Sequence, residues 1–263
     1  MQAVDVTISV VGAGRLAWSL IPNLREAGAM PQQLISRDAE QLAVYAKKWD
    51  IPSISTELAD VQAVDMIILA VPDAAILPLS QKLMPYLQDE QILVHTSGST
   101  ELTILTELWP LSGVLYPMQT MTRDKVVPFA KVPIFLEGSQ TVLQKLEALA
   151  EKMSERVFVM DSKARMRIHL GAVWACNFPN LLWQICEKVM PDGNGLDIGL
   201  YKSLMQETLD KVLEYGPREA QTGPAIRGDI PTLYKHLAAM EGLSEQQALY
   251  KQLSRLINPN LDL

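Results

Sequence analysis

The sequence predicts an α/β fold, with a doubly wound and mainly parallel sheet over residues 1–160 and an all-helical part over 161–263. Three observations lead there. Short runs of apolar, β-branched residues recur through the first half, with helical patterns of roughly 10–15 residues between them, as right-handed crossovers require. Near Lys163 those runs stop and long helical patterns take over. A Gly-x-Gly-x-x-Ala string, Gly12 to Ala17, closes the first apolar run.

Each element follows from local chemistry. Residues 6–11 are a continuous apolar run, the signature of a strand buried on both faces. A helix carrying Leu16, Leu20 and Leu24 runs from there to Ala27 and ends at Gly28. Residues 33–36 make a second strand, and 38–49 a second helix opened by Asp38 as N-cap. A third strand is expected around Ile54 and a fourth over 65–71, halted by Pro72. A helix over 74–87 and a strand over 91–95 follow. Strands at 113–116, 133–137 and 156–160, with a helix at 140–153, complete the first part.

In the second part, residues 166–189 are apolar almost all round, including Trp174, Phe178, Leu181, Leu182, Trp183 and Ile185. A helix without a polar face needs cover, which in a part this small predicts packing against a second copy through 163–190. An amphipathic helix over 198–213 stops at Gly216-Pro217. Helices over 231–240 and 245–257 come last, the final one opened by a Ser244-x-x-Gln247 capping box.

Bulk properties narrow the function. At 263 residues, 48% hydrophobic and 20% charged, the chain has a globular composition. A net charge of −7 opposes a nucleic-acid surface. No basic region precedes the first apolar stretch, and the run 67–79 is broken by Pro72 and Asp73, so neither a secretory signal nor a membrane span is expected. A soluble cytoplasmic protein is the expectation. Cys176 and Cys186 are ten residues apart on one expected helix, about 15 Å and too far for a bond, and read as core thiols. His95, His169 and His236 lack metal-ligand spacing, so no metal is expected.

The glycine string carries the chemistry. After a buried strand and before a helix, Gly12 permits the tight turn and Gly14 lets a diphosphate approach the backbone. The amides of Arg15 and Leu16, at the positive end of the helix, would then hold the phosphates of a dinucleotide on a Rossmann fold. Ser36 and Arg37 end the second strand where a 2′-phosphate needs a hydroxyl and a guanidinium, which points to NADP. Asp38 is either a misplaced NAD marker or a helix cap. Val71-Pro72 and Thr96-Ser97 end two central strands and should flank the adenosine and nicotinamide ends of the coenzyme.

Further polar groups stand out. At 3.6 residues per turn, His169, Asn177 and Asn180 fall on one face of an apolar helix, where they either bond neighbouring helices or line a cleft. The loop 222–229 holds Thr222, Arg227 and Asp229; Arg227 would anchor an acidic substrate, or the loop is a surface connection with Asp229 as a cap. Tyr116 and Gln119 follow a strand and would project into the substrate space.

Segments along nearly the whole chain resemble one family. They are His95-Thr-Ser-Gly98, Gly113-Val-Leu-Tyr-Pro-Met-Gln-Thr120, His169-Leu-Gly-Ala-Val-Trp-Ala-Cys-Asn177-Phe-Pro-Asn180, Gln206-Glu-Thr208 and Gln221-Thr-Gly-Pro-Ala-Ile-Arg-Gly-Asp229. The family comprises Rossmann-like proteins with a C-terminal helical domain of unknown function, labelled NADP oxidoreductases of the deazaflavin-dependent type. Its distant relatives are pyrroline-5-carboxylate reductase and 6-phosphogluconate dehydrogenase. The resemblance implies a nicotinamide domain, an all-α domain used for dimerisation, and a cleft between them. Where β-hydroxyacid dehydrogenases keep a lysine four residues before the helix asparagine, this chain has Val173, so their lysine mechanism does not transfer.

The expected activity is NADP-dependent hydride transfer to or from a small carbonyl or imine compound. His169 is the first candidate proton donor, with Asn177 polarising the acceptor, and His95 with Ser97 is the second. Tyr116, Gln119, Asn180, Thr222 and Arg227 are the candidate substrate contacts, and His236 reads as structural. Two alternatives stand beside this: a non-catalytic NADP-binding sensor, and a deazaflavin–NADP hydride exchanger that Trp174 and Trp183 would crowd.

Overall fold

The computed structural model describes residues 6–123, 125–191, 193 and 195–263. The chain divides into two compact units, Met1–Val173 and Trp174–Leu263.

The first unit begins with β1 (Ile8–Val11), α1 (Arg15–Glu26), β2 (Pro31–Ile35), α2 (Ala39–Trp49) and β3 (Ser53–Ser55). There follow β4 (Met66–Leu69), α3 (Asp73–Leu83), β5 (Ile92–His95), the single turn α4 (Thr103–Thr106) and β6 (Ser112–Pro117). The unit ends with β7 (Ile134–Gly138), α5 (Gln140–Met153), β8 (Val157–Val159) and α6 (Ser162–Ala172). The eight strands form one sheet in the order β3-β2-β1-β4-β5-β6-β7-β8. Every pair is parallel except β6 and β7, whose register runs Gly113–Gly138 to Pro117–Ile134 in antiparallel sense. The strand order reverses between β1 and β4, which places the switch point beside Gly12 and Ala70.

Alternate residues of the central strands serve two cores. Val10, Ile68, Val94 and Leu115 pack with Leu20, Leu24, Leu42, Leu146 and Leu149 of α1, α2 and α5. Val11, Ile67, Leu69 and Leu93 pack on the other face with Ile76 and Leu83 of α3 and Leu105 of α4. This two-sided burial is why these strands read as mainly apolar runs. Asn23 of α1 pins the segment after β6: its side chain donates to the carbonyls of Ser19 and Val127 and accepts from the Phe129 amide at 2.6 Å.

The second unit holds α7 (Phe178–Val189), α8 (Lys202–Tyr215), the single turn α9 (Pro224–Arg227), α10 (Ile230–Ala239) and α11 (Ser244–Ile257). Its buried cluster joins Ala225, Leu233, Leu261 and Leu263. The single helix expected over 166–189 is instead α6, a π-helical stretch at Val173–Asn177, and α7. A π turn is wider than an α turn, so a count at 3.6 residues per turn does not carry across it. Cys176 and Cys186 are half-buried and free, not core thiols. The capping box at Ser244 does not form either: Leu243 holds the cap position, and the Gln247 side-chain Nε2 donates to the Leu237 carbonyl at 2.8 Å.

Candidate functional site

At the carboxyl end of β1 the chain turns through Gly12 with φ +111°. A Cβ there would lie 2.3 Å from the Ala70 carbonyl oxygen and 2.9 Å from Val71 Cγ1, so only glycine lets the turn sit against the end of β4. Gly14 is the N-cap of α1 and offers no side-chain hydrogen bond, and no acidic residue occupies the first turn. The amides of Arg15 and Leu16 thus begin a helix whose positive end meets no carboxylate from its own first turn. By contrast, Asp38 caps α2 by accepting the Gln41 amide at 3.0 Å, which assigns it as a cap.

Gly12, Ser36, Arg37, Val71 and Pro72 line one pocket of about 600 Å³. Their convergence at the switch point fits a dinucleotide whose 2′-phosphate would meet Ser36 and Arg37. Thr56, Ala75, Lys82 and Tyr86 also line this pocket and were not singled out from the sequence. Thr56 directly follows β3, so the rule that ligands sit at strand carboxyl ends would have found it. Lys82 carries no comparable signal, since a lysine in the last turn of a helix is commonplace.

Thr96 and Ser97 lie apart from the residues lining that pocket. Thr96 Oγ1 donates to the Leu69 carbonyl at 3.0 Å, and Ser97 Oγ accepts the amides of Ser99 and Thr100 at 3.1 and 2.9 Å. They shape the loop after β5. His95, at the end of β5, is fully buried, and its Nδ1 accepts the Ser97 amide at 3.2 Å. The proton therefore sits on Nε2, which has no partner among the described residues. Burial first, then the Arg165 charge, push the His95 pKa down to about 3, against a partial opposing effect of Asp73. A ring held neutral is a fixed hydrogen-bonding group, and this argues against His95 as an acid at neutral pH.

The same burial has a measurable consequence. With the folded pKa near 3 and the unfolded value near 6.5, the unfolded chain takes up a proton that the native chain refuses. The contribution is complete above pH 6.5 and falls away as pH drops toward 3. Urea unfolding at pH 7 and pH 5 should show a loss of about 2 kcal/mol from this group, and His95→Gln should remove that component.

Tyr116, on β6, and His169, on α6, meet beside this loop. Tyr116 Oη and His169 Nδ1 are 3.0 Å apart, and the rings cross edge to face at 5.8 Å. Burial first, then Asp73, push the Tyr116 phenol up to about 12, with Arg165 opposing. Gly98 makes room for the pair: a Cβ there would lie 2.7 Å from both His169 Nδ1 and Tyr116 Cζ. Behind them Arg165, only 1% exposed, pairs with Glu137 and donates to the Thr100 carbonyl. Ser162 accepts the Leu102 amide at 3.0 Å and donates to Glu137 at 2.9 Å. These contacts lock α6 to the loop 96–102. Sequence reasoning missed Arg165, Glu137 and Ser162, because each looks like an ordinary surface polar residue.

The other expected residues are not gathered in the first unit's cluster. Gln119 is exposed just past β6 and accepts the Thr120 amide at 2.8 Å. In the second unit, Asn177, Asn180, Thr222 and Arg227 are exposed. Asp229 caps α10 by accepting the Thr232 amide at 3.2 Å, and His236 Nδ1 lies 2.7 Å from Tyr250 Oη. Among the described residues, no group of three or more His, Cys, Asp or Glu could hold a metal ion, and no helix is long and apolar enough to cross a membrane.

Comparison with known proteins matches this arrangement. Residues 7–98 fit the family described as NADP oxidoreductase, coenzyme F420-dependent, and residues 132–257 fit a domain of unknown function, DUF2520. The crystal structure of BF3122 from Bacteroides fragilis, described as a candidate NADP oxidoreductase, superposes with a TM-score of 0.90 at 34% identity. That alignment covers 98% of this chain and 99% of BF3122. The chain belongs to this NADP oxidoreductase family. Its first unit carries the nucleotide-binding fold of the family, and NADP is the coenzyme its pocket fits. A pyrroline-5-carboxylate reductase of Pseudomonas aeruginosa is 33% identical over 104 residues, which is 39% of this chain and 38% of the reductase. An imine reductase from Myxococcus stipitatus, solved with NADP+, shares the fold at a TM-score of 0.68 and 17% identity, over 96% of this chain and 93% of that one.

Proposed function

We propose that this oxidoreductase reduces a small carbonyl or imine compound, with Tyr116 and His169 supplying the proton. The observation that carries the reading is the Tyr116–His169 hydrogen bond at 3.0 Å, near the carboxyl end of β6 and beside the loop that follows β5. NADPH, when bound, supplies a hydride; Gly12, Ser36, Arg37, Val71 and Pro72 would hold it, with the amides of Arg15 and Leu16 on its phosphates.

The chain's own task is the proton. A carbonyl or imine carbon that gains a hydride leaves negative charge on its heteroatom, and a placed acid lowers that barrier. The Tyr116 hydroxyl stays protonated far above neutral pH, so it is always available to donate. As its proton passes to the heteroatom, the His169 ring hands another to the phenol through Nδ1 and takes one from solvent at Nε2, so the pair returns to its starting state. His95 and Ser97 fix the loop on which the pair rests. The roles of Asn177 in polarising the acceptor, and of Gln119, Asn180, Thr222 and Arg227 in substrate binding, rest on residue chemistry alone.

The partial match to pyrroline-5-carboxylate reductase makes cyclic imines the first compounds to try. NADPH oxidation should be followed against aldehydes, ketones and cyclic imines, with reduced deazaflavin plus NADP as a further arm because the family description names coenzyme F420. Turnover of a carbonyl or imine supports the reading. Tight NADPH binding without turnover would make this a sensor, and exchange with the deazaflavin alone would make it that exchanger.

We further propose a homodimer formed through the second unit. Trp174, Leu204 and Leu213 are 63%, 63% and 76% exposed in one protomer, and Leu181, Trp183 and Leu209 are also exposed. Large apolar side chains left exposed along the π-helical stretch, α7 and α8 are the kind of surface that a second copy would cover. Light scattering at micromolar concentration should return twice the chain mass of 29.2 kDa. A monomer would contradict this.

A further inference from the structure

We infer that Tyr45, on α2, is a positioning residue that aims the diphosphate-binding amides of the Gly12–Leu16 turn. The inference rests on the coenzyme assignment above and adds a residue outside the pocket lining. Tyr45 is 2% exposed, and its hydroxyl donates to the Gly14 carbonyl at 2.8 Å. The same carbonyl accepts the Trp18 amide at 3.2 Å, so two donors fix its direction.

A trans peptide is planar, with C=O and N–H pointing opposite ways. Fixing the Gly14 carbonyl toward α2 and the body of α1 therefore fixes the Arg15 N–H in the opposite direction. That amide is among the first four of α1, which have no partner within the helix. Gly14 has no side chain to hold this peptide plane and adopts no protected turn of its own, with φ −87° and ψ −173°. The Trp18 amide of α1 supplies one restraint, and Tyr45, 31 residues away, adds the second and shorter one.

The tyrosine is itself held. Its ring meets Trp18 edge to face at 5.0 Å, Trp18 meets Trp49 at 5.9 Å, and Lys48 Nζ lies 4.0 Å from the Trp18 ring centre. Burial, only partly opposed by Arg123, raises the phenol above its ordinary range, so the hydroxyl remains a donor. A buried tyrosine that merely satisfied its own hydroxyl would stabilise the fold without touching coenzyme affinity. The two roles are separable.

The test is Tyr45→Phe, read by calorimetric binding of NADPH, NADH and adenosine 2′-monophosphate, which lacks the diphosphate. NADPH and NADH should each bind about fivefold more weakly, the loss of one hydrogen bond, while the monophosphate binds as before. Leu42→Ala, in the same core and 2% exposed, should lower the melting temperature with no change in NADPH affinity. Unchanged NADPH affinity in Tyr45→Phe would overturn the inference, as would equal weakening of the monophosphate or of NADPH by Leu42→Ala. Failure of the wild type to bind any of the three would overturn the coenzyme assignment itself, and this inference with it.

Discussion

Gly12→Ala is expected to weaken NADPH binding by at least ~100-fold, about 2.7 kcal/mol. Two costs combine at that position. An alanine at φ +111° is strained, and its Cβ would stand 2.3 Å from a backbone oxygen of Ala70, which cannot swing aside as a side chain would. The turn must move, and the amides that follow move with it. Gly14→Ala is the informative companion. There the added Cβ would meet only the Ala70 oxygen, at 3.8 Å, and φ is ordinary, so the free protein should keep its melting temperature. Its coenzyme affinity should still fall, because a methyl group then faces the diphosphate. Isothermal calorimetry with thermal unfolding on both variants separates the two effects.

His169→Ala and Tyr116→Phe are each expected to lower kcat by about 10²–10⁴, the usual worth of a placed acid. Neither residue lines the coenzyme pocket, so NADPH affinity should hold. Because the two act as one unit through a single hydrogen bond, the double variant should lose little more than either single one. Additive losses would mean that the residues act separately.

Much of this architecture was legible in the sequence, for identifiable reasons. β1, β4 and β5 are buried on both faces, so they appear as mainly apolar runs, with Ser9 and His95 as the polar members. The turn at Gly12 and the Ser36-Arg37 pair were legible because strand, turn and helix follow one another within a few residues. What was hidden depends on distant contacts. Strand direction is not written in an apolar pattern, so the antiparallel β6–β7 pair carried no signal. The π stretch at Val173–Asn177 broke a helix that looked continuous. At Ser244 the local capping signal yielded to a hydrogen bond from Gln247 to Leu237. In the candidate site, Arg165 finds Glu137 28 residues away and Thr100 65 residues away, separations that no local pattern reveals. His169 drew notice as a polar residue in an apolar helix, yet its partner Tyr116 became evident only from the packing of α6 on β6.

The central claim is that a half-buried phenol–imidazole pair delivers the proton to a substrate reduced with NADPH. Its most direct test is single-turnover NADPH oxidation with an accepted carbonyl or imine, in wild type and in the Tyr116→Phe/His169→Ala double variant, with coenzyme affinity measured on the same samples. The account predicts equal affinity and a turnover rate reduced at least ~100-fold in the variant. Equal rates in the two proteins would contradict it.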